Sequence, residues 1–212
     1  MTERNQTPED VRRSYDESLP NPLGALFFFL WGEIALLHSV WATFRALFES
    51  GRERLDLLDH CASSFFADLH WVLHDDLVIR IGRLLDPPST AGRANASIPR
   101  LIADLTPLAT PALASRLSEA LGATLKAASG LREIRNTRVG HSAFQAALAP
   151  HHHPPADADE IETVLDGLRA IMNGIEAEYR DAETDYVNPI SKGDADELVF
   201  WLELARKHET CR

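Results

Sequence analysis

The chain has 212 residues, of which 45% are hydrophobic and 25% charged, and its net charge is −11. This composition is that of a folded globular protein and excludes an intrinsically disordered chain, and the negative charge argues against indiscriminate binding of nucleic acid. The two cysteines, Cys61 and Cys211, are far apart, so a disulfide framework is excluded and a reducing compartment is expected.

The beginning of the chain gives no sign of export or membrane insertion. The first ten residues are polar and lack the basic start of a signal peptide. The most apolar run, residues 23–31, is far shorter than a membrane span, and Glu33 follows it closely. We therefore expect a cytoplasmic protein with no segment that crosses a bilayer.

The first long helix is predicted by a heptad pattern. Apolar residues recur in alternating steps of four and three along about four repeats, which is typical of a helix that packs lengthwise on another. These residues are Leu23, Phe27, Leu30, Ile34, Leu37, Trp41, Phe44 and Phe48. Their strict register favours a role in a core or a dimer seam over a platform for stacking bases.

A second long helix is predicted to run up to Pro87. Its apolar stripe shifts register in the middle, and the two halves differ in the residues they would bury. The first half carries Leu55, Leu58, Ala62, Phe65, Leu69 and Val72, and the second half carries Leu73, Leu77, Ile81 and Leu84. A loop of small residues, 89–96, and a short helix, 97–105, should follow.

Three more helices complete the predicted pattern. A third long helix begins with Thr110 as N-cap and Pro111 as first helical residue, and its stripe reaches Ile134. A fourth begins near Asp159 and extends to Tyr179. After a loop, Asp194 caps a last helix whose expected inner face is Leu198, Trp201, Leu202 and Ala205.

These elements predict an all-α protein, an antiparallel four-helix bundle with extra short helices. We expect one domain over residues 1–212, with its core at about 20–185 and the helix at about 194–209 appended. No segment sustains strand-like alternation.

Charge is unevenly distributed along the chain. Residues 80–138 contain nine basic and four acidic residues, a net charge of +5, and the remainder carries −16. A local basic surface on an acidic body could bind a phosphate chain, although solvated arginines on helix faces would give the same count.

A candidate site for RNA cleavage lies late in the third long helix. His141 can transfer a proton near neutral pH, Arg135 can bind a phosphate and stabilise its developing charge, and Asn136 can orient either group. On a straight α-helix, at about 100° per residue, positions six apart point about 120° away from each other. Arg135 and His141 can therefore converge only if the helix bends or ends near Gly140, or if substrate bridges them.

The Arg-Asn-x4-His element on a late helix of a four-helix bundle resembles the HEPN superfamily, whose motif is Arg-x(4–6)-His. More narrowly, the chain resembles the AbiU-type abortive-infection HEPN family. Three segments carry this resemblance: residues 30–33 (Leu-Trp-Gly-Glu), residues 75–87 (Asp-Asp-Leu-Val-Ile-Arg-Ile-Gly-Arg-Leu-Leu-Asp-Pro) and residues 132–141. Together they lie within residues 20–185.

The resemblance implies a homodimer in which both Arg-Asn-His sets face one cleft. It also implies a metal-independent endoribonuclease that leaves 2′,3′-cyclic phosphate ends and acts in phage defence or as a toxin-like growth regulator, with no cofactor and with a possible antitoxin or defence partner. The catalytic set carries over onto Arg135, Asn136 and His141. Supporting or RNA-binding candidates are Arg132, Arg138, Asp75, Asp76, Arg80 and Arg83.

Alternatives remain open at this point. Asp75, Asp76, Arg80 and Arg83 could equally form an ion-pair network between helices. His70 and His74, one turn apart, could form half of a metal site, although no third ligand is evident. Some HEPN toxins are modified on a Tyr two residues after the His, where this chain has Ala143. The protein could also be a non-catalytic helical module that binds RNA or a protein partner.

Overall fold

The computed structural model describes residues 7–139, 156–188 and 193–209, and these residues are mostly helical. The predicted all-α fold class is therefore confirmed. The helices are α1 (Pro8–Ser18), α2 (Leu23–Phe48), α3 (Arg52–Leu84), α4 (Ile98–Leu105), α5 (Pro111–Ala127), α6 (Ser129–Ile134), a π-helical turn (Arg135–Val139), α7 (Ala158–Arg180) and α8 (Ala195–Glu209). Two short strands, β1 (Ser89–Thr90) and β2 (Arg93–Ala94), form an antiparallel hairpin within the predicted loop.

The heptad stripe of α2 forms the centre of the core. Its members from Leu23 to Phe44 are buried, and Phe48 is partly buried against the same core. They pack with the inner faces of α3, α4, α5 and α7. The stripe is thus a core seam within the chain, which is one of the two roles that its register predicts.

Helix α2 is also long and apolar enough to cross a membrane, with a mean hydropathy of 1.7 over its most apolar window. A buried core helix of a soluble protein passes the same test, and the α2 stripe packs in the core in this way. Helix α2 is therefore only a weak indication of a membrane span.

Helix α3 is interrupted at Ala62, whose backbone is extended (φ −164°, ψ 67°). The break changes which side chains face the bundle, so the predicted stripe of the first half is largely wrong. Phe65 and Val72 are 60% and 63% exposed, whereas Leu57 and Phe66 are buried. In the last part of α3, the predicted residues Leu77, Ile81 and Leu84 are buried as expected.

Helix α1 was not predicted from the sequence. Thr7 and Asp10 form a reciprocal capping box at its start, and the Tyr15 hydroxyl donates a 2.7 Å hydrogen bond to the buried carboxylate of Glu176 on α7. The Arg180 guanidinium lies 4.0 Å above the Tyr15 ring. These contacts attach α1 to the bundle, although Tyr15 is the only residue within the helix that is buried.

Helix α8 packs on the outer ends of α2 and α3. Asp194 accepts the backbone N–H of Glu197, as predicted for its cap. The predicted inner face is wrong in part, because Val199 is the buried residue and Trp201 is 55% exposed. With Leu57, Leu58 and Phe66, Val199 belongs to a small second core that also includes Leu47.

Candidate functional site

The predicted third long helix is not continuous. Ala128 departs from helical geometry (φ −80°, ψ 10°) and separates α5 from α6. The backbone N–H groups of Gly130 and Leu131 both donate to Oε1 of Glu160 on α7, at 2.9 and 3.1 Å. A side chain at Gly130 would collide with this carboxylate, because a Cβ there would lie 2.8 Å from its nearest oxygen. Glu160 therefore caps α6 from a neighbouring helix.

After this capped helix the chain changes from an α-helix to a π-helix. Helix α6 ends at Ile134, and Arg135–Val139 forms a π-helical turn. A π-helix bonds residues five apart instead of four, and such turns are frequent at functional sites. The turn begins at Arg135, the first residue of the predicted motif, so the chain leaves α-helical geometry at that residue. A departure from a straight α-helix, which is one of the conditions under which Arg135 and His141 could converge, thus begins ahead of Gly140.

The guanidinium of Arg135 is held by a carboxylate from α3's C-terminal end. Its Nη1 donates to Oδ1 of Asp86 at 2.7 Å, and its Nη2 donates to Oδ2 at 3.2 Å. Both side chains keep about a quarter of their surface exposed, at 26% and 27%. This two-bond geometry is the strong form of an arginine–carboxylate pair, and it fixes the plane of the guanidinium.

Gly82 provides the space in which the Arg135 side chain lies. A Cβ at position 82 would lie 2.3 Å from Cδ and 2.8 Å from Nε of Arg135. Any larger residue at this buried point on α3 would displace the arginine. Gly82 lies in the last turn of α3 and Asp86 lies two residues beyond the end of that helix, so the C-terminal end of α3 and the residues directly after it together make room for Arg135 and bind it.

Other predicted site residues are only partly described. Asn136 is exposed beside Arg135, and Arg132 is half-buried one turn earlier on α6. His141 and the side chain of Arg138 lie outside the described residues. Within the described ranges, neither Arg132 nor the exposed Arg83 has an ion-pair partner.

Asp76 and Arg80 take part in an ion-pair network, as one of the two interpretations predicts. Arg80 Nε bonds Oδ2 of Asp76 at 2.6 Å, and Arg80 Nη1 lies 3.7 Å from Oε2 of Glu33 on α2. Glu33 belongs to the Leu-Trp-Gly-Glu segment, so the network joins two of the three segments that carry the family resemblance. Asp75 is bonded elsewhere, to the ring of His74.

His70 and His74 have structural surroundings that oppose the metal half-site. His74 is buried, its Nε2 accepts the backbone N–H of Ala156 at 2.8 Å, and its Nδ1 lies 3.1 Å from Oδ1 of Asp75. The ring of His70 packs against Phe44 and Phe48, and burial lowers its pKa, with a further contribution from His74. In the described parts of the chain, no group of three potential ligands is close enough to hold a metal ion.

Part of the positive charge of residues 80–138 is paired in the fold with acidic residues from outside this segment. Arg100 pairs with Asp104 within the segment, but Arg80 and Arg116 pair with acids from outside it, Asp76 and Glu178. The excess positive charge is thus partly neutralised by neighbouring helices. In the described ranges, Arg83, Arg93 and Arg132 have no acidic partner.

Three residues of this site were not predicted as site residues: Gly82, Asp86 and Glu160. Gly82 and Asp86 lie in the Asp-Asp to Asp-Pro segment that carries the family resemblance, which was the available signal. Glu160 has only the ordinary signal of an acidic residue in the first turn of a helix.

Comparison with known families gives one finding. The family model HEPN_AbiU2, described as AbiU2, matches residues 21–198. Comparisons with curated proteins and with solved structures gave no match. The matched range spans α2 to the start of α8 and contains the Arg135–Asp86 pair, the Glu160 cap and the predicted motif. The chain belongs to the HEPN AbiU2 family.

Proposed function

We propose that this protein is a metal-independent endoribonuclease that acts in abortive phage defence or as a toxin-like growth regulator in the cytoplasm. The observation that carries the proposal is the fixed guanidinium of Arg135, placed at the start of a π-helical turn and followed by Asn136, in a chain of the HEPN AbiU2 family. A rigid, partly exposed arginine suits a site that binds a phosphate.

The proposed reaction uses the RNA as its own nucleophile. The 2′-hydroxyl oxygen attacks the adjacent phosphorus as its proton leaves, and the bond to the 5′-oxygen breaks as that oxygen gains a proton. The products are a 2′,3′-cyclic phosphate and a free 5′-hydroxyl. His141 transfers the proton, Arg135 stabilises the charge on the phosphoryl oxygens, and Asn136 orients one of these groups.

The active form in this proposal is a homodimer in which the Arg135 and His141 sets of both copies face one cleft. Arg132, Arg138 and Arg83 would extend the phosphate contacts along the bound RNA. A protein antitoxin or defence partner would keep the site silent until infection.

The test of the proposal is RNA cleavage in excess EDTA. Labelled RNA should be cut at an undiminished rate, and the new 3′ ends should carry a 2′,3′-cyclic phosphate or its opened product. A reaction that stops with EDTA and returns with zinc or magnesium would instead indicate metal-assisted hydrolysis and would refute the proposed chemistry.

A second candidate function is a non-catalytic module that binds RNA or a protein partner. The observation that favours it is a set of large apolar side chains that are exposed on α8 and α3. They include Phe200, Trp201, Phe65 and Val72, each more than half exposed, and exposed aromatic residues are common at protein interfaces. This function is favoured if the wild type binds RNA or a partner but cuts nothing.

A further inference from the structure

We infer that Asp86 and Gly82 are positioning residues of the ribonuclease site, which together set the place and plane of the Arg135 guanidinium for contact with an RNA phosphate. The inference rests on the proposed function and assigns roles to two residues that the Arg-Asn-His motif does not include, Gly82 in α3 and Asp86 just beyond the end of that helix. Its basis is one juxtaposition: Arg135 crosses α3 at Gly82 and ends on Asp86.

The first step is the hydrogen-bond count of the guanidinium. Arginine has five N–H donors in a rigid plane. Asp86 accepts one from Nη1 and one from Nη2. Each terminal nitrogen keeps a second hydrogen, so Arg135 can donate to a phosphate while its pair with Asp86 remains intact. The exposed quarter of its side chain gives a ligand access to this group.

The second step is the cost of leaving the arginine unrestrained. A free arginine side chain samples many rotamers, and this freedom must be lost when it binds a transition state. The charged, two-bond pair with Asp86 removes that freedom before substrate arrives. A positive charge that is already in position accelerates the reaction more than one whose side chain must reorient during the reaction.

The third step concerns Gly82. A methyl group at position 82 would require Cδ of Arg135 to move from 2.3 Å to at least 3.4 Å, the beginning of ordinary contact. A displacement of about 1 Å in a catalytic group can lower a rate by about a hundredfold. Gly82→Ala removes no charged or hydrogen-bonding group, and alanine is the better helix former, so any loss reports the position of Arg135.

The experiment compares two variants with two matched controls. Asp86→Asn and Gly82→Ala should each lower the RNA cleavage rate, Gly82→Ala by about a hundredfold. Asp104→Asn should have little effect, since Asp104 forms a surface pair with Arg100 on α4, and so should Gly122→Ala, because position 122 on α5 has open space around it. Thermal unfolding by circular dichroism ensures that only folded variants are compared.

A second readout reports positioning itself. Nitrogen NMR of the arginine side chains should show slow rotation of the Arg135 guanidinium in the wild type, and Asp86→Asn should make that rotation fast. Asp104→Asn should leave the Arg135 signal unchanged. A purely structural role for Asp86 would alter stability without this selective change.

The outcomes separate the two claims. If the wild type cuts RNA and both Asp86→Asn and Gly82→Ala cut equally fast, the positioning role is wrong and the ribonuclease proposal stands. Faster cleavage by Asp86→Asn would also overturn it, because the carboxylate would then compete with RNA for the arginine. A wild type that cuts no RNA overturns the proposed function itself, and the catalytic role of the two residues with it.

Discussion

The ionisation of two histidines, His38 and His70, is coupled to the stability of this fold. His38 on α2 is buried and stacks on Tyr186, and its Nε2 has no hydrogen-bond partner in the described parts of the chain. Burial lowers the pKa of His38, and the positive charge of Arg169 lowers it further. Burial also lowers the pKa of His70. Both side chains therefore resist protonation in the folded state.

This predicts a loss of stability in mild acid. Above the ordinary histidine pKa of 6.5, His38 and His70 are neutral in both the folded and the unfolded state, and their ionisation does not reduce the free energy of unfolding. As the pH falls below it, the unfolded chain takes up protons first, so the free energy of unfolding decreases until the folded state also protonates. Urea unfolding at about pH 7.5 and about pH 5.5 should show this decrease, and His38→Leu should reduce it.

His208→Ala is the control for this measurement, because His208 is exposed near the end of α8 and should leave the pH dependence unchanged. Equal or greater stability at the lower pH in the wild type would contradict the assignment of His38 and His70 as side chains that resist protonation in the folded state.

The candidate motif could be read from the sequence, but the partner of Arg135 could not. Arg135, Asn136 and His141 follow from a local sequence pattern. Asp86 lies 49 residues before Arg135, and local periodicity carries no information on which distant side chain meets Arg135. The role of Gly82 could not be predicted for a different reason: this residue contributes space for Arg135 and has no side chain of its own.

At the scale of elements, helix ends explain how the motif is positioned. Glu160 takes two backbone N–H groups at the start of α6, and Arg135 follows directly after the end of that short helix. Losing such a cap costs about 0.5–2 kcal/mol. Glu160→Ala should therefore lower the free energy of unfolding by about that amount and should speed hydrogen exchange at the Gly130 and Leu131 amides.

Glu162→Ala provides the matched control on the same helix. Glu162 forms a surface ion pair with Arg45, an interaction worth about 0–1 kcal/mol, and it does not bond α6. If Glu160→Ala leaves exchange at the two amides as slow as in Glu162→Ala, the capping role of Glu160 is wrong.

Helix starts were predicted better than helix interruptions. Thr110 and Asp194 act as N-caps, as predicted, and the short helix predicted to begin at Ser97 begins one residue later, with Ser97 as its N-cap. The breaks at Ala62 and Ala128 fall at alanine, the best helix former, and neither was predicted. At the second break, the carboxylate of Glu160 on α7 accepts two backbone N–H groups of α6.

At the scale of the whole molecule, the heptad stripe of α2 packs against helices of the same chain. Because its heptad stripe is buried in the core, the proposed dimer requires another surface, and the proposed shared cleft puts that surface around Arg135 and Asn136. The protein should sediment as a dimer at micromolar concentration. With Cys61 and Cys211 changed to serine, Asn136→Cys should then give a covalent dimer with a short thiol cross-linker.

Arg93→Cys, on the exposed β1–β2 hairpin, should give little cross-linked product under the same conditions. A monomer in the ultracentrifuge would contradict the dimer, and efficient cross-linking at position 93 but not at 136 would contradict the proposed cleft.

The most direct test of the central claim is RNA cleavage by His141→Ala beside the wild type, both purified and assayed on labelled RNA. Loss of a proton-transfer group costs on the order of a hundredfold to ten-thousandfold in rate, so cleavage and any cellular toxicity should disappear. RNA affinity should change little, because binding rests on phosphate contacts from arginines. If the wild type cuts nothing and His141→Ala keeps every growth phenotype of the wild type, the ribonuclease account is contradicted.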